Sequence, residues 1–443
     1  MPTFLLMFSL PLLLIFSTEA AFGIGLGMGV GIGGGTTGGG GGGGSGVWIG
    51  GGDNNPNSSP QQQQPPPPLP PPSPPSPSLS KAYTALQAWK AAITEDPNGV
   101  LTNWAGPNVC NYKGVFCSSF EDNYNGDDNS SNNNNISPVF SSVSAIDLNH
   151  ANLKGILVKE LTLLTELSLL HLNSNRFSGT IPQNFKDFQF LTELDLSNNQ
   201  FSGTFPNPIL FMPNLIYLDL RFNNFYGSIP DDLFTKQLDA IFINNNQFHG
   251  TLPQNLGNSP ASVINLSNNN FSGGIPASLG FVNSALKEIL FLNNQLSGCI
   301  PENLGLFSDI TVLDLSFNSL MGHLPDSLSC LEDIQVLNMA HNKLSGELPD
   351  LVCSLKNLLN LSIEYNFFSG YSSKCSNLFM KSIGFDFSLN CIPGKMMQRP
   401  PPECYGIPGT DSDSCFRIPA KPLVCGGSLL DLILNLGNVP LSP

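Results

Sequence analysis

The chain has 443 residues, of which 12% are charged, and a net charge of −15. That balance disfavours phosphate backbones and anionic membranes, so nucleic acid is a poor partner and a basic ligand is the electrostatic complement. Of its 44 glycines 19 crowd residues 22–52, and of its 37 prolines 10 crowd residues 61–78, two tracts too biased to fold, so the part able to build a core is shorter than the chain.

Residues 1–20 (MPTFLLMFSLPLLLIFSTEA) carry an apolar run from Phe4 to Phe16, with Thr18 and Ala20 at the small-residue positions of a cleavage site. A signal peptide cut near Ala20 is the expectation. Residues 21–79 join a glycine tract to QQQQPPPPLPPPSPPSPS and read as a disordered linker, the proline part in extended polyproline form. No later window offers the ~20 uninterrupted apolar residues of a transmembrane segment. The apolar C-terminal tail, 426–443, is broken by Asp431, Asn435 and Pro440.

A helix is expected from Ser80, with Ala82, Leu86, Trp89 and Ile93 on one face, stopped by Asp96-Pro97-Asn98-Gly99. Trp104 and the close pair Cys110 and Cys117 complete an N-terminal cap over 80–117, the cysteines clamping a short loop. Residues 118–142 contain EDNYNGDDNSSNNNN, read as a disordered asparagine-rich insertion.

Beyond the insertion the chain is self-similar every 23 to 25 residues, with units beginning at Val143, Leu167, Leu191, Leu215, Leu238, Ala261, Leu286, Ile310, Ile334 and Leu358. Each follows LxxLxLxxNxLSGxIP, as in LTELDLSNNQFSGTFP (191–206). The alternating leucines make a short inward-facing parallel strand, the asparagine turns the chain, and stacking buries a continuous core. The fold expected is an α/β solenoid: a plant-type leucine-rich-repeat horseshoe with a parallel β-sheet on its concave face. Ten repeats fill 143–372, between the helical N-terminal cap and a disulfide-rich C-terminal cap at 373–425.

Because the leucines and asparagines serve the architecture, function is sought between them. Residues flanking the buried leucines point from the concave sheet. The candidate peptide-binding set is Glu193, Asp195, Tyr217, Asp219, Arg221, Phe222 and Phe242 in the earlier repeats. Glu288, Asp314, Phe317, His341, Glu364 and Tyr365 continue it in the later ones. Aromatic residues at exposed strand positions mark binding anchors, and acidic residues outnumber basic ones about two to one over 143–370. Asn57, Asn129, Asn135, Asn265, Asn270 and Asn360 lie in glycosylation sequons, and a glycan on Asn265 would obstruct the concave strand.

The five histidines fall at unrelated phases of the repeat, and no nucleophile, base and orienting acid converge, so the chain reads as no enzyme. The ten cysteines, an even set behind a signal peptide, imply disulfides in an oxidising compartment. None has zinc-ligand spacing, so neither metal nor cofactor is expected. Cys330 and Cys353 sit at nearly the same phase of adjacent repeats and are expected to bridge.

The sequence resembles the leucine-rich-repeat extensins of plant cell walls over about residues 80 to 425. The resemblance rests on AYTALQAWKAAITEDPNGVLTNWAGPNVCNYKGVFC (82–117), LDLRFNNFYGSIP (218–230), LFTKQLDAIFINNNQF (233–248) and NCIPGKMMQRPPPEC (390–404). It implies a secreted wall protein, binding a small basic peptide of the rapid alkalinisation factor class through its repeats and affecting wall formation and growth. The chain departs in one part: its proline tract precedes the repeats, and no Ser-Pro-repeat tract follows Cys425. Alternative readings are an inhibitor of a pathogen polygalacturonase and a structural wall protein. Cell-wall polysaccharide or pectin, and a second copy of the chain as a homodimer, are the other partners considered.

Overall fold

A computed structural model describes residues 77–121, 139–279, 285–307, 309–405 and 415. The signal-peptide expectation, nearly all of the 21–79 linker, most of the asparagine-rich insertion and the tail lie outside these residues, as do Asn57, Asn129, Asn135 and Cys425.

Two sheets run the length of the solenoid. The inner sheet has twelve strands in order along the chain, parallel throughout except for its first pair, Val115–Glu121 against Val139–Asp147. Most of its strands are three residues long, because the repeat turns away as soon as one leucine has been buried. Leu194, Leu218 and Ile241 thus sit in register on successive strands, each with no solvent exposure. A second, eleven-stranded sheet is built, after a first strand from the N-terminal cap, from the LSG-type segments of the successive repeats. The sequence suggests only a bend there. A left-handed glycine such as Gly203 (φ 102°) re-aims the chain, and the preceding segment pairs with the next turn, as Gly203 does with Phe225.

Between the sheets lies a column of stacked rings. Phe177 and Phe201 are 6.3 Å apart, Phe201 and Phe225 6.5 Å, and Phe225 and Phe248 6.2 Å, all close to parallel. Trp89 closes the N-terminal end, stacked on Phe177 at 5.7 Å. Trp89 belongs to α1, Pro77–Ala92, which buries Ala82, Ala85, Leu86 and Trp89. The helix starts three residues before Ser80, and Ile93 lies past its end in the strand Ile93–Glu95, which pairs with Lys154–Ile156 and begins the second sheet. Cys110 and Cys117 are bridged.

The asparagine ladder keeps the turns in register. Asn199 Oδ1 accepts the Phe177 N–H at 2.9 Å, and its Nδ2 donates to the carbonyls of Leu172, Leu196 and Ser197 at 2.8, 3.1 and 2.9 Å. One buried amide thus satisfies four backbone groups that the tight turn would leave unpaired.

The same arrangement recurs as far as Asn390, where Oδ1 accepts the Phe368 N–H at 3.0 Å. The strand Gly384–Asp386 pairs in parallel with Asn360–Ser362. An eleventh inner turn therefore lies within the stretch read as a cysteine-rich cap, with phenylalanine where the repeat has leucine. The bridge expected between Cys330 and Cys353 is corrected: Cys353 is joined to Cys375, and Cys330 is disulfide-bonded elsewhere. The reason is α2, Ser373–Met380, which packs on the 3-10 turn Val352–Ser354 and brings Cys375 within 4.9 Å, Cα to Cα, of Cys353. Cys391–Cys404 and Cys299–Cys415 also tie the C-terminal end.

Candidate functional site

The central strand position forms one row across the concave sheet. Asp147, His171, Asp195, Asp219, Phe242 and Asn265 are register partners in sequence. The row continues through Leu290, Asp314, Asn338, Ser362 and Asp386. Candidate residues gather in two clusters around it, with Glu288, half-buried and its carboxyl raised by burial, between them.

In the first cluster Glu193 Oε2 meets His171 Nε2 at 3.1 Å with both side chains part-exposed. Asp195 caps its own turn, accepting from the Ser197 N–H at 2.9 Å. Asp219 is corrected: it does not project into solvent but is fully buried. Arg221 Nε lies 2.9 Å from its Oδ2, the Tyr217 hydroxyl donates to the same oxygen at 3.3 Å, and the Arg221 N–H bonds Oδ1 at 3.0 Å. Phe242 completes the cover, 5.8 Å from the Tyr217 ring and 5.3 Å beneath the Arg221 guanidinium.

Burial raises the Asp219 carboxyl to about 8, with the Asp195 charge adding to it and Arg221 only partly opposing it. Burial likewise lifts the Tyr217 hydroxyl well above the ordinary phenol range. Asp219 therefore contacts a ligand only through the residues that cover it, and reversing its charge would test the fold before it tested binding.

The second cluster is aromatic on one side and acidic on the other. Phe317, His341 and Tyr365 stack in a ladder, each neighbouring pair 4.0 Å apart and 14° from parallel. All three occupy the left-handed position before the ladder asparagine (φ 52°, 54° and 54°), as does Phe222 (φ 52°) four turns earlier. Other turns place Asn198, Asn245, Asn268 or Asn293 there, and asparagine accepts this conformation at lower cost than phenylalanine or tyrosine. Phe222, Phe317 and Tyr365 remain 48%, 46% and 41% exposed.

Beside the rings, burial and then the neighbouring Asp386 carboxyl raise Glu364 to about 7. Asp386 also feels burial, but the Ser388 N–H at 2.9 Å and a hydrogen bond from Glu364 outweigh it and hold Asp386 low. Burial, followed by the charge of Arg399, lowers His341. Asp314 accepts from the Ser316 N–H at 2.9 Å and Asn338 Nδ2 at 3.1 Å, yet burial still raises it.

Asp386 and Arg399 are missing from the sequence-based set. Continuing the 24-residue phase one turn past Ser362 would have found Asp386. Of the described sequons, Asn270 and Asn360 are exposed; Asn265 is half-buried, its Oδ1 accepting the Ser267 N–H at 3.1 Å.

A solenoid with two parallel sheets, a polar asparagine ladder and cysteine-tied ends defines a plant-type leucine-rich-repeat protein. Residues 79–118 match the leucine rich repeat N-terminal domain, and 165–225, 262–282, 309–331 and 333–355 match leucine rich repeat families. The chain is similar to leucine-rich repeat extensin-like protein 7 of Arabidopsis thaliana, 60% identical over 240 residues, 54% of this chain and 52% of that one. It is also similar to leucine-rich repeat extensin-like protein 6 of the same plant, 54% identical over 93 residues, 21% and 17% of the two chains. By these matches the chain is similar, over about half its length, to leucine-rich repeat extensin-like proteins. The chain spans about half the length of the first relative and less than a fifth of the second.

Among solved structures, the ectodomain of the Arabidopsis receptor kinase HAESA, in complex with an N-terminally extended IDA peptide hormone, is similar with TM-score 0.52 and 25% identity. That match covers 71% of this chain and 54% of HAESA's. The Arabidopsis GASSHO1/SCHENGEN3 ectodomain has the same fold, with TM-score 0.55, 23% identity, and 70% and 41% coverage. Among the described residues no helix is long and apolar enough to cross a membrane.

Proposed function

We propose that this chain is an extracellular cell-wall protein whose concave face binds a small basic signalling peptide of the rapid alkalinisation factor class, and through it affects wall formation and cell growth. The observation that carries this reading is a concave face on which a strand row bearing Asp195, Asp314 and Asp386 lies beside exposed aromatic side chains at the turn position before the ladder asparagine. Its arginine, Arg221, is already engaged by Asp219. Part-exposed Glu193 at one end and the Glu364–Asp386 pair at the other provide anionic contacts. Phe222, Phe317 and Tyr365 provide apolar anchors that a merely solvated face would not need. The similarity to a repeat ectodomain solved with a peptide hormone supports the same reading.

The test is calorimetric titration of a synthetic basic, cysteine-rich peptide into the secreted full chain at low and high salt. Glu193→Lys and Glu364→Lys should each weaken binding roughly tenfold, on the order of 1.4 kcal/mol, and flatten the salt dependence. Unchanged affinity in both variants would refute the assignment.

A further inference from the structure

The second sheet presents a face of different chemistry. Across five consecutive turns its strands Gln200–Thr204, Asn224–Gly227, Gln247–Thr251, Asn270–Gly273 and Gln295–Gly298 contain no Asp, Glu, Lys or Arg, in a chain of net charge −15. Each opens on an exposed carboxamide and turns a phenylalanine or leucine inward.

The register sets each carboxamide beside a polar group of the preceding turn: Asn224 beside Ser202, Gln247 beside Tyr226, Asn270 beside His249. Among the described residues none of these six side chains has a hydrogen-bond partner within the protein. On the concave face, by contrast, Asp195 and Asp314 are tied into their own turns. Tyr226 is 49% exposed at the centre of the array.

We infer that this face binds an uncharged β-1,4-linked glycan lying across the strands. A carboxamide both donates and accepts, which suits paired sugar hydroxyls. Parallel strands about 4.8 Å apart repeat at close to the length of one hexose in an extended chain, so each turn faces one sugar; because successive β-1,4-linked sugars are turned over, alternate turns meet equivalent hydroxyls, and a carboxamide, able to donate or accept, serves both orientations. Tyr226 offers an apolar ring face to a sugar ring. The absence of lysine and arginine from these five strands favours a neutral polymer over a uronate, which the net charge of the chain also repels.

Asn270 is also a sequon residue, and a glycan attached there would cover the array. Asn270→Gln removes the sequon and keeps the carboxamide. The experiment titrates xylohexaose, cellohexaose and hexagalacturonate into the secreted full chain carrying Asn270→Gln. A neutral hexasaccharide is expected to bind at least tenfold tighter than hexagalacturonate. Adding Tyr226→Ala with Gln247→Ala should weaken that binding at least tenfold while leaving the circular dichroism unchanged, and adding Glu193→Lys instead should leave it intact. No binding of either neutral sugar, equal binding of hexagalacturonate, indifference to the double change or loss on Glu193→Lys would each overturn the inference. Failure of peptide binding on the concave face would leave it standing.

Discussion

Arg221 reaches back over its own strand to set Nε 2.9 Å from Asp219 Oδ2, leaving Asp219 no exposure and Arg221 stacked on Phe242. The carboxyl is raised to about 8 from an ordinary 3.8. In the folded state it retains a proton that the unfolded chain releases across that window. Its stabilising contribution is complete below about 3.8 and lost as the pH rises through about 8, with a slope of up to about 1.4 kcal/mol per pH unit. Thermal unfolding at pH 5, 6, 7 and 8 should therefore show stability falling with rising pH, and Asp219→Asn should reduce that slope. A variant whose profile superimposes on the parent would show that Asp219 is ionised throughout.

Glu364, at about 7 beside Asp386, has a consequence for binding. A cationic ligand favours the ionised carboxylate, so affinity for a basic peptide should be greater at pH 8 than at pH 6, by several-fold. Glu364→Gln should remove most of the difference, read by calorimetry in one buffer series. Persistence of the full pH dependence in that variant would assign it to another group.

The concave row was legible because the repeat period fixes phase: once Leu194 and Leu218 face inward, Asp195 and Asp219 must share the opposite face. Phase does not reveal cover. Tyr217 and Arg221 flank Asp219 on its own chain segment, Phe242 comes from the next strand, and their combined size closes over a carboxylate that the same position leaves part-exposed at Asp195. The eleventh turn was hidden because Phe385 and Phe387 replace leucines and Cys391 drew the segment into a cap. The second sheet was hidden because LSG by itself reads as a bend and becomes a strand only beside its neighbouring turn.

Two sets of aromatic residues with the same repeat period have opposite roles, and substitution separates them. Phe201 lies between Phe177 and Phe225 with no exposure, its N–H held by Asn223 Oδ1 at 2.9 Å. Phe201→Ala should cost about 3–5 kcal/mol in a denaturant titration. Phe317→Ala, at a position 46% exposed, should cost about 1 kcal/mol or less while weakening peptide binding. Equal losses of stability would contradict the division of the rings into a structural spine and a surface ladder.

The Cys353–Cys375 bridge ties α2 to the 3-10 turn Val352–Ser354 and so holds the C-terminal turns of the stacked core together. A solenoid is most exposed to fraying at its ends, where one face of the core lacks a following repeat. Closing a 22-residue separation constrains the unfolded chain by about 3 kcal/mol on the chain-entropy account. Cys375→Ser should lower stability by that order and leave Cys353 as a thiol that alkylates on local opening of the C-terminal turns, before global unfolding. Proteolysis of the unreduced parent should release one fragment joining the peptides around Cys353 and Cys375. A fragment joining Cys330 to Cys353 instead would restore the pairing that repeat phase alone suggests and would detach α2 from the role assigned to it.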